Sequence, residues 1–220
     1  MYSSGIVPSW FYIMVIIVFI LFVGVGYWVT RAEKGLQTGG DGKIAEKAIF
    51  YENRFRNSGK PAEIIDVKTN YAGSVQRIFS TDLRQTFAFF SPRNRIKLIG
   101  KNHDESLVIT VINIKNDGKF LHSSWEAEVR KDGVKERFKI NNYSKRRRRI
   151  DLSFPFKGKL VTVSSDLKDG VIRFHDDNRE CALITFQRKF PPRKVFIDAK
   201  EGGLPLTMLA VMFEIVKYYD

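Results

Sequence analysis

The sequence predicts a mainly β domain carried on one N-terminal transmembrane helix, and three observations lead there. Residues Trp10 to Val29 form an uncharged apolar stretch of 20 residues. From about Ile44 onward, short runs of alternating apolar and polar residues recur between turn-forming residues, at roughly 8–12-residue spacing. The final run, Leu204 to Tyr219, breaks that alternation and is apolar nearly all round a helix.

The first stretch, WFYIMVIIVFILFVGVGYWV, would be roughly 30 Å long as a helix, the thickness of a bilayer's hydrocarbon core. Trp10, Phe11 and Tyr12 mark one end and Tyr27 and Trp28 the other, where aromatic rings sit against lipid headgroups. A cleaved signal peptide fits poorly. The leading end has no basic side chain, the apolar run is too long, and Tyr27-Trp28-Val29-Thr30 is a poor cleavage site. The transmembrane helix is therefore expected at 10–30, behind a short extracytoplasmic tail at 1–9. Arg31, Lys34, Lys43 and Lys47 follow the helix and no basic residue precedes it, so the positive-inside rule places the N-terminus outside and the domain in the cytoplasm. The expected location is the cell membrane, in a single pass.

Residues 31–42 (RAEKGLQTGGDG) carry four glycines and read as a flexible linker. Its typical span is about 20 Å, which keeps the following domain, 43–220, near the bilayer.

Strands are expected at 62–71, 74–79, 86–90, 95–100, 107–114, 125–131, 134–140, 150–154, 159–163, 170–174, 182–187 and 194–198. Asp132-Gly133 between two of them has the strongest hairpin tendency in the chain, and Asp169-Gly170 and Asp176-Asp177-Asn178 mark further turns. No residue pattern repeats at a fixed period, which disfavours propellers and solenoids. About twelve short antiparallel strands with one wet face make a barrel or a sandwich.

The last segment, LPLTMLAVMFEIVKYY, follows Gly202-Gly203, and Pro205 suits a helix start. Its polar residues Thr207, Glu214 and Lys217 fall on one narrow stripe. At about 16 residues with an internal Glu and Lys it is short for a membrane span, so a buried core helix is expected.

A cytoplasmic domain of about twelve strands ending in one hydrophobic helix resembles the tubby-like superfamily, which includes the tubby C-terminal domain, the LURP-one-related proteins and the phospholipid scramblases. Val195-Phe-Ile-Asp-Ala, the Gly-Gly break and Leu204-Pro-Leu-Thr-Met-Leu-Ala-Val-Met-Phe-Glu-Ile carry the resemblance. It implies a roughly 12-stranded antiparallel β-barrel wrapped around the C-terminal hydrophobic helix. The tubby signature motifs, a palmitoylated cysteine cluster and an acidic calcium loop are missing. The resemblance therefore implies lipid or partner binding, and not calcium-triggered scrambling.

The formal net charge is +13, all of it beyond residue 30. That excess favours polyanionic partners. The sharpest local feature is Lys145-Arg146-Arg147-Arg148-Arg149, a candidate site for anionic phospholipid headgroups, with Arg93 and Arg95 as candidate extensions of the patch. The bland alternative is a solvated loop. Arg188/Lys189 and Arg193/Lys194 are further basic pairs. Nucleic acid would use the same cations, but no recognition helix, RNP or zinc-finger pattern is present. A protein partner is the other option, with the chain as an accessory subunit of a membrane complex.

Nothing in the sequence names a reaction, so no catalytic, cofactor-binding or metal-binding residue is predicted and no cofactor is implied. His103, His122 and His175 lack metal-ligand spacing, and no nucleophile elbow or phosphate loop is present. An enzyme acting on lipid or envelope substrates is the least supported reading. The single cysteine, Cys181, lies in an apolar run and is expected to be a buried thiol.

Overall fold

The computed structural model describes residues 9–38, 48–53, 59–66, 71–79, 96–114, 124–146, 149–177, 179–186, 193–200 and 203–219. Side chains are described for residues 10–24 of the first helix and are not described for 48–53, 193 and 194. The chain divides into two compact units, Met1–Ile44 and Ala45–Asp220.

The first unit is a helix, α1, at Ser9–Thr38. It runs eight residues into the segment read as linker from its glycines. Arg31-Ala-Glu-Lys are strong helix formers, and they outweigh a lone glycine at 35. Among the described residues no helix is long and apolar enough to cross a membrane. Described side chains in α1 cover only residues 10–24, fewer than the ~20 that a span needs.

The second unit holds twelve strands: β1 (Ala48–Asn53), β2 (Ala62–Asp66), β3 (Gly73–Ile78), β4 (Lys97–Asn102), β5 (Leu107–Ile114), β6 (Ser124–Lys131), β7 (Val134–Asn142), β8 (Arg149–Phe156), β9 (Lys159–Asp166), β10 (Val171–Asp176), β11 (Arg179–Phe186) and β12 (Arg193–Ala199). Each pairs antiparallel with the next in sequence, and β1 pairs with both β2 and β12, so the sheet closes on itself as a barrel. β1 is a strand that the alternation pattern does not reveal. The strand expected at 86–90 lies outside the described residues.

Alternation within strands produces the wall. In β5, Leu107, Ile109, Val111 and Asn113 point inward and are buried, while the residues between them are half-buried or exposed. The Asp132-Gly133 turn joins β6 to β7 with positive φ at both residues, 48° and 84°, the geometry of a two-residue hairpin whose twist matches the strands.

The interior is filled by a second helix, α2 (Leu206–Tyr218), with Pro205 as its N-cap. Every residue from Thr207 to Tyr218 is buried. The helix lies so close to β4 that only glycine fits at position 100. A Cβ there would sit 2.6 Å from Val211 Cγ2 and 2.9 Å from Thr207 Cγ2. On the polar stripe of α2, Glu214 is met from the wall: Arg77 of β3 donates through Nε to Glu214 Oε2 at 2.8 Å, and through Nη2 to the same oxygen. At the C-terminal end, Trp125 of β6 donates its indole N–H to the Tyr219 hydroxyl at 2.8 Å, and its ring meets Tyr218 edge to face.

Candidate functional site

The polybasic run sits where β7 gives way to β8, and a small polar scaffold builds its tip. Asn142 Oδ1 accepts from the backbone N–H of Ser144 at 2.9 Å and also from the Ser144 hydroxyl. Ser144 Oγ in turn accepts from the Asp151 N–H at 2.9 Å, and the Tyr143 N–H reaches the Asp151 carbonyl at 2.8 Å. Ser144 is buried by this network. Asn and Ser side chains hold turns in this way by offering the backbone a local partner.

Beyond that scaffold the chain turns tightly. The Arg149 N–H donates to the Arg146 carbonyl at 3.2 Å, pairing the two residues as an isolated bridge. Five successive cations on one straight strand would point to both faces. The turn removes that conflict, and Lys145, Arg146 and Arg149 are all exposed. Tyr143 is 62% exposed on the same tip. Arg149 Nε lies 3.7 Å from Asp151 Oδ1, a loose surface pair that leaves the arginine side chain 71% exposed. Arg147, Arg148, Arg93 and Arg95 lie outside the described residues.

Strand order places the start of β12, at Arg193, on the same end of the barrel as this tip. In an antiparallel barrel with sequential neighbours, successive connections alternate between the two ends. The connections β1–β2, β3–β4, β5–β6, β7–β8, β9–β10 and β11–β12 therefore leave from one end. The register agrees: Ile78 pairs with Lys97, Ile114 with Ser124, Arg149 with Asp166, and Val171 with Asp166. Arg193 opens β12 at this end, and Arg188 and Lys189 lie outside the described residues. The sequence alone has no means of placing Arg193 on the same end as the polybasic run.

The barrel belongs to a known family. A family model, the tubby C-terminal-like domain, matches residues 49–219. The chain belongs to the tubby C-terminal-like family. No curated protein and no solved structure matches it. Membership in the tubby-like family points to lipid or protein binding in general.

The remaining candidates resolve differently. His103 lies in the β4–β5 turn with its ring 5.2 Å from that of Tyr71, edge to face. His175 lies in β10, just before the Asp176-Asp177-Asn178 turn, where the register shifts between Phe174 and His175. Its neighbour Asp176 is engaged by Lys159 Nζ at 2.9 Å, which holds that ammonium above its ordinary pKa. His122 lies outside the described residues. Among the described residues no group of His, Cys, Asp or Glu could hold a metal ion. Cys181 is a free, buried thiol. Burial and then the nearby Asp176 charge push its pKa up, which makes it a poor nucleophile.

Proposed function

We propose that this protein is a single-pass membrane protein that presents a basic tubby-like barrel on the cytoplasmic side, where the barrel binds anionic phospholipid headgroups. The observation that carries the reading is the β7–β8 tip. A rigid polar scaffold exposes Lys145, Arg146 and Arg149 beside an exposed Tyr143, the amphipathic-ring-plus-cation composition that suits a lipid interface. Each Lys or Arg near an anionic leaflet contributes about 1 kcal/mol, so a cluster binds reversibly and in a salt-dependent manner. Anchoring is supported by α1, whose residues Trp10 to Val23 are all apolar and all exposed. A helix apolar all round needs lipid or protein to cover it, and its uncharged leading end favours the N-out orientation.

Liposome flotation of residues 43–220 tests the lipid reading. Flotation on vesicles containing phosphatidylserine, none on phosphatidylcholine alone, and loss when Arg146 to Arg149 become Ser are expected. Equal flotation on both vesicle types, or no loss in the Ser variant, sinks it and turns attention to a protein partner.

A further inference from the structure

The barrel wall has a seam between β7 and β8. β7 is in register with β6 at seven successive pairs, and β8 with β9 at eight. β7 and β8 meet in register at two only, Asn141↔Ser153 and Asn142↔Leu152. Proline chemistry explains the early stop. The Tyr143 N–H donates to the Asp151 carbonyl, so the odd-numbered residues of β8 turn their backbone groups toward β7. An antiparallel ladder uses every second residue, so after Asp151 and Ser153 the next donor due is the N–H of residue 155, which is proline and has none. Side chains close the wall there instead, with Phe138 and Phe154 stacked at 5.7 Å between ring centroids.

Past the seam, β7 runs on without a neighbour on that side. Continuing the register places Phe156, the last residue of β8, opposite Phe138, so Val134 to Arg137 extend beyond the end of β8. The Asp132-Gly133 turn closes on the pair Lys131↔Val134, so Val134, Glu136 and Phe138 direct their backbone groups to β6. Lys135 and Arg137 direct theirs away from β6, and among the described residues no strand is in register with them there. An unpaired strand edge is a template for another strand.

The side chains select the occupant. Lys135, Arg137 and Lys139 alternate along one face of β7, all exposed, and Lys157, just after β8, is exposed too. Acidic partners reach this row from β6: Glu128 Oε2 lies 2.7 Å from Arg137 Nη2, and Glu126 stands opposite Lys139. On the other face Val134 is 71% exposed beside Glu136. A second copy of β7 would set cation against cation, which opposes self-pairing. We propose that this edge of β7 takes up an extended acidic segment of a protein partner by strand addition. Its acidic residues would lie at alternate positions beside Lys135, Arg137 and Lys139, with apolar residues between them beside Val134. The polybasic tip lies at the other end of β7, so this reading and the lipid reading can fail separately.

The test titrates the full chain, in uncharged detergent micelles, with an end-blocked octapeptide alternating Glu and Val, and follows amide hydrogen exchange residue by residue by NMR. The Lys135 and Arg137 amides should become at least about tenfold more protected, while Phe138, already bonded to β6, should not change. The same peptide N-methylated at every amide keeps its charge and cannot pair, and should bind at least about tenfold more weakly. A Lys/Val octapeptide should not bind. Lys135→Glu with Lys139→Glu should weaken binding of the Glu/Val peptide at least about tenfold, and Lys168→Ser should leave it unchanged. If the double variant does not fold, exchange in the unaltered chain still decides. Equal binding of the methylated peptide would mean plain attraction to a chain of charge +13, and overturns the proposal. No protection at saturating peptide, protection confined to residues outside β7, or self-association through this edge overturns it as well. None of these results changes the flotation expected on anionic vesicles.

Discussion

Breaking the Arg77–Glu214 pair should be among the most damaging single changes to the barrel, and replacing both partners should be far milder. The side chains are 11% and 2% exposed, so water cannot take over solvation of whichever charge remains. Removing one partner of a buried pair costs about 3–5 kcal/mol, because the other is left as an uncompensated charge. Replacing both with apolar residues of similar size removes the desolvation penalty together with the attraction, and is often close to neutral. Glu214→Leu and Arg77→Met should therefore each lose about 3–5 kcal/mol from a domain whose total stability is about 5–15 kcal/mol. The double variant should recover most of that loss, for a coupling of at least about 4 kcal/mol, above the range usual for contacting residues. Urea unfolding of residues 43–220 reads this directly, since Trp125 is the sole tryptophan in that span and is fully buried against α2. With an m-value of about 2 kcal/mol/M, each single variant should lower the midpoint by about 2 M. Single losses below about 1 kcal/mol, or a double variant equal to the sum of the singles, would refute the view that this pair locks the helix inside the wall.

Three further outcomes follow from the same packing. Gly100→Val should destabilise by at least about 1–3 kcal/mol, because its side chain would collide with two β-branched residues of α2; an unshifted thermal midpoint would contradict that. Tyr219→Phe should cost about 1–3 kcal/mol by orphaning the buried Trp125 N–H, and a spectral shift in tryptophan fluorescence should accompany it. Cys181 should react with Ellman's reagent at least about tenfold more slowly in the native protein than in urea, since its thiolate is disfavoured by burial. Because its folded pKa lies above the ordinary 9.0, its contribution to stability is fully present below that pH and is lost as pH rises through the folded value. Cys181→Ala should flatten the alkaline limb of the stability–pH curve, and an unchanged limb would count against the assignment.

Much of the barrel is legible in the sequence because each strand carries its own local signal. β5 alternates cleanly, and Asp132-Gly133 announces a hairpin whose positive φ values only such a pair adopts easily. The core role of α2 is legible from its narrow polar stripe, and Glu214 on that stripe is the residue that needs a partner. The partner itself is not legible. Arg77 lies 137 residues away and looks like any polar residue facing out of a strand. β1 fails for a related reason: AIFYEN has no turn residue before it, and its identity as a strand depends on pairing with β12 at the far end of the domain. The basic tip is visible as a run of letters, but its geometry comes from Asn142 and Ser144, which carry no charge signal.

The central claim is that the chain is anchored through α1 with its barrel in the cytoplasm, and protease accessibility in intact cells tests it most directly. An epitope tag after Asp220 should survive external protease and be lost only after the membrane is permeabilised, while a tag before Met1 should be removed from outside. Digestion of the barrel in intact cells would reverse the orientation, and release of the full chain into the soluble fraction by alkaline carbonate would remove the anchor altogether.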